Sequence, residues 1–212
     1  MSDLSKVRIG VDFDNTIICY DGIFHKVALE KKLILSEVPA GKGQIRDYLR
    51  EIGKEDEWTK MQGYVYGTRL KDATPFPGVT EFFLYCKQQD ISVYIVSHKT
   101  HHPYMGPKYD LHRAAYEWLE FQGFFDPGKI GLSDEDVFFE LTKAEKLKRI
   151  ADLECAHFID DLPEFLCEAD FPGFTDRILF DPNEQHPDGS DYPRMTSWKE
   201  IKGIFRDVQA KG

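Results

Sequence analysis

Short apolar runs rich in β-branched residues alternate along this chain with amphipathic stretches of helical period. The first run, Val7–Val11, gives way at once to Asp12 and Asp14, separated by one residue, and then to Asn15 and Thr16. A buried strand that runs out into an acidic loop puts its acids at the strand's carboxyl end. A second run, 91–96, ends in Ser97, His98, Lys99 and Thr100. DVFFE at 136–140 reads as a short strand, and 156–159 as another buried one that ends in Asp160 and Asp161. RILF at 177–180 reads as the last strand, followed by an exposed Pro-, Asp- and Gly-rich loop at 181–194.

Between these runs the period changes to 3.6. Val79, Phe82, Phe83 and Cys86 mark one helix face. Leu111, Ala114, Ala115, Trp118 and Leu119 mark another, with Asp110 as its cap. Thr142 with Glu145 three residues later forms a capping box that opens a helix to about 153. Pro163 enters a short helix, and Ser197 caps a terminal one bearing Trp198, Ile201, Ile204 and Phe205. Residues 20–72 carry only helical patterns: 24–35, then Ile45, Tyr48, Leu49 and Ile52, then 54–66. Strands separated by helices predict an α/β fold with a doubly wound parallel sheet. The core is expected over 1–19 and 73–212, with 20–72 as a helical insertion. Parallel strands share one carboxyl edge, so the acids and Ser97 are expected to converge there.

Composition narrows the picture. With 212 residues, 42% of them hydrophobic and 30% charged, a single cored α/β domain with a small inserted subdomain is expected. The net charge of −10 argues against a binder of nucleic-acid backbone. It is compatible with a small phosphorylated substrate, because one local cation outweighs the global field. Cys19, Cys86, Cys155 and Cys167 are scattered without CxxC spacing, which speaks against a zinc site or a disulfide framework. Cys86 and Cys155 read as buried thiols. The amino terminus has no apolar signal-peptide core and no run is apolar enough to span a bilayer. A reducing cytoplasm is therefore the expected location; oligomeric state is not legible.

Four carboxylates at one edge repel each other unless a hard divalent cation joins them. Magnesium takes a few carboxylates, waters and phosphate oxygens. One aspartate can then attack phosphorus, while a second, its pKa raised by acidic neighbours, serves as general acid and base. Ser97 and a lysine supply the donor and the cation that phosphoryl oxygens require. Lys143 is preferred because a cation in the first helical turn opposes the helix dipole, and a bound anion would explain it. Lys146 and Lys148 share that helix and keep the assignment open. His98, His101 and His102 read as exposed loop histidines, and Trp58, Tyr64 and Tyr66 as packing.

Taken together, VDFDNT, VYIVSH, Lys143 and FIDD resemble the four ordered motifs of the haloacid dehalogenase (HAD) superfamily. The resemblance covers about 7–20 and 74–181 and implies a Rossmann-like core with a small helical cap at 20–72. It implies Asp12 as nucleophile and Asp14 as general acid/base, the latter also lending its backbone carbonyl to Mg2+. Thr16 would orient the loop and join Ser97 and Lys143 in binding the phosphoryl group. Asp160 would ligate the metal beside Asp12, with Asp161 a further ligand or a supporting group. An aspartate at position 14 resembles the phosphatase members, so a phosphomonoester hydrolase acting on a small phosphorylated metabolite is expected. A phosphoryl-transferring mutase uses the same intermediate, and a non-catalytic module of the same fold is the third reading.

Overall fold

The structure is a computed structural model that describes residues 7–187 and 192–210, without the side chains of 207–210. The expected loop at 181–194 therefore falls partly outside the described residues. In chain order the elements are β1 (Arg8–Val11), β2 (Ile18–Cys19), α1 (Asp21–Glu30), α2 (Lys42–Glu51) and α3 (Glu55–Gly67). There follow β3 (Thr74–Pro75), α4 (Val79–Gln88), β4 (Ser92–His98), α5 (Leu111–Phe121), β5 (Val137–Glu140) and α6 (Lys143–Asp152). The chain continues through β6 (His157–Asp160), α7 (Pro163–Leu166), β7 (Asp176–Phe180), β8 (Arg194–Met195) and α8 (Trp198–Ala210). Both expected caps form: Asp110 accepts from the Arg113 amide and Thr142 from the Glu145 amide.

Six strands form one sheet in the order β5-β4-β1-β6-β7-β8, and every adjacent pair is parallel. Strands β2 and β3 form a separate two-stranded ribbon. The first strand is central, flanked by β4 and β6. Its register pairs Val11 with Ile95 on one side and with Ile159 on the other. The next residue along, Asp12, continues the ladder by donating its amide to the Ile159 carbonyl at 2.9 Å. That register brings Asp12 level with Asp160.

Helices cover both faces of the sheet. Successive strand residues point to opposite faces, and β6 shows it: Phe158 packs in a cluster with Leu147 and Ile150 of α6 and Phe165 and Leu166 of α7. The preceding residue, His157, meets Phe205 of α8 on the other face, ring centroids 5.0 Å apart. Trp198 of α8 there stacks near Phe82 of α4 and Phe180 of β7, at 5.0 and 5.6 Å. Gly10 of β1 sits under the Phe158 ring. A Cβ at position 10 would lie 2.5 Å from Phe158 Cδ2, so glycine leaves the room this ring takes beside the strand that carries Asp12.

Two compact units divide the chain. The first is built from the chain up to Ile17, Pro75–His98 and the chain from Gly123 onward; it holds the six-stranded sheet. The second comprises Ile18–Thr74 together with Lys99–Gln122. Its helices α1, α2 and α3 bury Phe24, Ile45, Leu49, Trp58 and Val65 among themselves. Helix α5, read from sequence as part of the sheet-bearing core, is in this second unit. The reason is local packing. Trp118 of α5 donates its indole N–H to the Ala73 carbonyl at 3.0 Å, and the chain at 103–109 lies tight against two α3 glycines. Cβ atoms at Gly63 and Gly67 would come within 2.6 Å of Pro103 and 2.3 Å of Tyr109.

Candidate active site

The loop after β1 turns tightly. Asn15 takes a left-handed backbone conformation (φ 59°), which asparagine tolerates better than most residues, and the Ile17 amide donates to the Phe13 carbonyl at 3.1 Å. Phe13, fully buried, sets its ring edge-on to Phe139 of β5 with centroids 5.5 Å apart. The apolar residue between the two aspartates thus anchors the loop. The turn carries Thr16 back so that its hydroxyl donates to Asp161 Oδ1 at 3.5 Å, while its carbonyl accepts from the Trp198 indole at 3.1 Å.

Asp12 is the hub. Its Oδ1 accepts from Ser97 Oγ at 2.9 Å and from Lys146 Nζ at 2.6 Å. Among the described residues its Oδ2 has no hydrogen-bonding partner. Lys146 also donates to Asp160 Oδ2 at 2.6 Å, and Asp160 Oδ1 accepts from the Leu162 amide at 2.9 Å. Asp12, Asp160, Ser97, Thr16 and Lys146 are all buried, with Asp161 and Asp14 half-buried. Burial, resisted by Lys146 and reinforced by Asp160 and Asp14, pushes the Asp12 carboxyl up to about 7. Burial works against the charge of Lys146 as well, but Asp12 and Asp160 outweigh it and hold the ammonium above the ordinary lysine range.

Helix α6 decides which lysine belongs here. Lys146, Leu147 and Ile150 form its buried stripe. Lys143, preferred from sequence, is the helix's first residue; it is exposed and donates instead to Glu168 at 3.1 Å. The two lysines share a face, but they lie three residues, or about 4.5 Å, apart along the helix axis. Side chains lean toward a helix's amino terminus, so Lys146 reaches back to the acids while Lys143 leans past the end of the helix. The signal was present in the sequence as the four-residue spacing from Lys146 to the apolar Ile150. Opposition to the helix dipole marks the first turn, but how far along the helix the acids sit is set by packing.

One carboxylate oxygen each from Asp12, Asp160 and Asp161 lie within 4.8 Å of one another. Three oxygen donors this close suit a hard divalent cation such as Mg2+. Asp14's carboxylate is not in that group, although its charge is felt by Asp12. His98, His101 and His102 are exposed, as read. His98 Nε2 lies 3.0 Å from the Leu141 carbonyl, at the entrance to α6. Trp58 is buried against Phe24, at 5.0 Å between centroids, and Tyr66 packs on Tyr20 at the same separation.

Solved structures of HAD-superfamily hydrolases have a similar fold. No family model and no curated protein matches the sequence. A predicted phosphoglycolate phosphatase from Haemophilus somnus is 16% identical, with a TM-score of 0.57, over 95% of this chain and 98% of its own. YfnB of Bacillus subtilis, a HAD-hydrolase by name and bound to magnesium, is 17% identical with a TM-score of 0.56, over 93% and 97%. A HAD family hydrolase from Deinococcus radiodurans, with bound phosphate and sodium, is 14% identical with a TM-score of 0.57, over 95% and 96%. At these identities the likeness establishes the fold.

Proposed function

We propose that this protein is a Mg2+-dependent phosphomonoester hydrolase that acts on a small phosphorylated metabolite through an aspartyl-phosphate on Asp12. The observation that carries the reading is the convergence on Asp12. One of its oxygens is held by Ser97 and Lys146 while the other has no hydrogen-bonding partner among the described residues. A carboxylate anchored by one oxygen presents the other as a nucleophile in a defined direction. The magnesium and phosphate bound by structural neighbours, and the phosphatase named among them, support the same reading.

In this reading Asp12 Oδ2 attacks phosphorus in line. A bond forms from Oδ2 to phosphorus and the ester bond breaks. The leaving oxygen takes a proton from the Asp14 carboxyl, which needs that group protonated when substrate binds. Asp14 then removes a proton from water, the hydroxide attacks phosphorus, and the Asp12–phosphorus bond breaks to release phosphate. Ser97 Oγ and Lys146 Nζ, held beside the attacking carboxylate, stabilise the charge that builds on the phosphoryl oxygens, and Thr16 holds the loop through Asp161. The carboxylates of Asp12, Asp160 and Asp161, with the Asp14 carbonyl, would hold Mg2+, which supplies charge neutralisation at the phosphoryl group. Lys146 replaces Lys143 in the phosphate-binding role. The 20–72 insertion is assigned the substrate-selecting role that the resemblance gives a cap.

The test is phosphate release from an aryl phosphate in the presence of Mg2+. Wild type is expected to turn over and to stop on chelation. Asp12→Asn is expected to lose at least about a hundredfold in rate; turnover at the wild-type rate would overturn the proposal.

A further inference from the structure

Four groups surround the Lys146 ammonium, and two of them are rings. Besides its two carboxylate bonds, Nζ lies 4.1 Å from the centroid of Phe165 and 5.3 Å from that of Phe158. The lysine side chain is 3% exposed and Phe165 1%. A lysine that merely laid its stem along an aromatic would put methylenes over the ring and carry its charge away to water. Here the charge itself sits over the ring. Attraction between an ammonium and the negative face of an aromatic is strongest when both are withdrawn from water.

The placement of Phe165 is built into the chain. Helix α7 begins three residues after Asp160, and the bond from the Leu162 amide to Asp160 Oδ1 fixes the turn between them. The same turn that aims the carboxylate therefore delivers the ring. Phe165 is in turn held edge-on by Phe171, at 5.8 Å, and lies 6.0 Å from Phe158. An ammonium has three donors. Two go to Asp12 and Asp160, and of the two rings beside the ammonium Phe165 is the nearer.

We propose that Phe165 is a positioning residue whose ring face fixes the Lys146 ammonium between Asp12 and Asp160 by cation–π attraction. Leucine or methionine at this position would be apolar but offer no negative face, and the ammonium would lose the nearer of its two rings. The effect on rate rests on the phosphatase reading; the placement of the ammonium does not.

The experiment replaces Phe165 in the full chain by a series of phenylalanines carrying one, two and three ring fluorines. Fluorination keeps shape and volume nearly constant while it drains the ring face of negative charge. Two readouts are taken: the NMR resonance of the Lys146 ammonium in protein labelled with 15N at lysine Nζ, and kcat and KM for an aryl phosphate with Mg2+. Phe165→Leu serves as the apolar control. The resonance is expected to shift stepwise with each fluorine. Turnover is expected to fall stepwise by about tenfold over the series with KM little changed, the loss matching the attraction removed. A resonance that does not move would overturn the proposal whatever the activity. A moving resonance with constant kcat would overturn the positioning role. A moving resonance in a wild-type protein that releases no phosphate would support the placement while refuting the phosphatase reading.

Discussion

Removing the Lys146 ammonium strands two carboxylates, Asp12 and Asp160, whose side chains are 7% and 0% exposed. Breaking a buried ionic group by deleting one partner leaves uncompensated charge. Lys146→Met is expected to cost about 3–5 kcal/mol in urea-unfolding free energy. Adding Asp12→Asn to that variant should recover part of the loss, because one stranded charge disappears. Lys143→Ala, whose partner Glu168 is itself solvent-facing, is expected to change stability by no more than about 0.5 kcal/mol and to leave turnover intact. His157 gives a residue-scale pH prediction. Burial, only partly opposed by Asp176, holds its pKa below the ordinary histidine value. The unfolded chain then binds a proton more readily than the folded one. Stability should therefore be full above about pH 6.5 and fall as pH drops through that value. His157→Gln should flatten this slope in melting temperatures taken between pH 5 and 8; an unchanged slope would assign it to other groups. At this scale the sequence placed Asp12, Ser97 and Asp160 at strand ends, and the structure brings the three together. The sequence left the lysine open because adjacent turns of one helix face look alike in a periodicity.

Helices were legible as helices, but the company they keep was not. The stripe on α5 and its Asp110 cap were readable, yet α5 packs with α3 through Trp118 and Ala73 in the second unit. Chain order placed it between two sheet strands and so suggested a sheet-covering helix. The tight approach of 103–109 to α3 depends on Gly63 and Gly67, which periodicity does not single out. This leads to a prediction against propensity. Alanine in place of a helical glycine ordinarily stabilises by about 1 kcal/mol. Here Gly63→Ala is expected to destabilise by about 1–3 kcal/mol, because the added methyl meets Pro103 at 2.6 Å. A raised melting temperature in that variant would refute the close packing. The same logic applies to Gly10 under Phe158, where the strand carrying Asp12 would be displaced.

For the molecule as a whole, the acidic edge predicts linkage between metal and stability. A ligand that binds only the folded state stabilises it by mass action, about 2.7 kcal/mol at a hundredfold excess over Kd. Mg2+ is expected to raise the melting temperature in a concentration-dependent way, and Asp160→Asn to abolish most of that gain. An equal gain in the variant would move the metal elsewhere. No helix among the described residues is long and apolar enough to cross a membrane.

What the sequence alone determined is what local rules govern. Apolar runs made strands, helical stripes made helices, and strands alternating with helices made a parallel sheet with one carboxyl edge. Those rules act over a few residues and leave their mark as spacing. Only the tertiary structure decided that Lys146 and not Lys143 meets the acids, that Phe165 lies beneath its charge, and that α5 joins the second unit. Each of these depends on distances between residues far apart in the chain or on which turn of a helix reaches an edge. Such distances are set by register and packing, which periodicity along one segment does not encode.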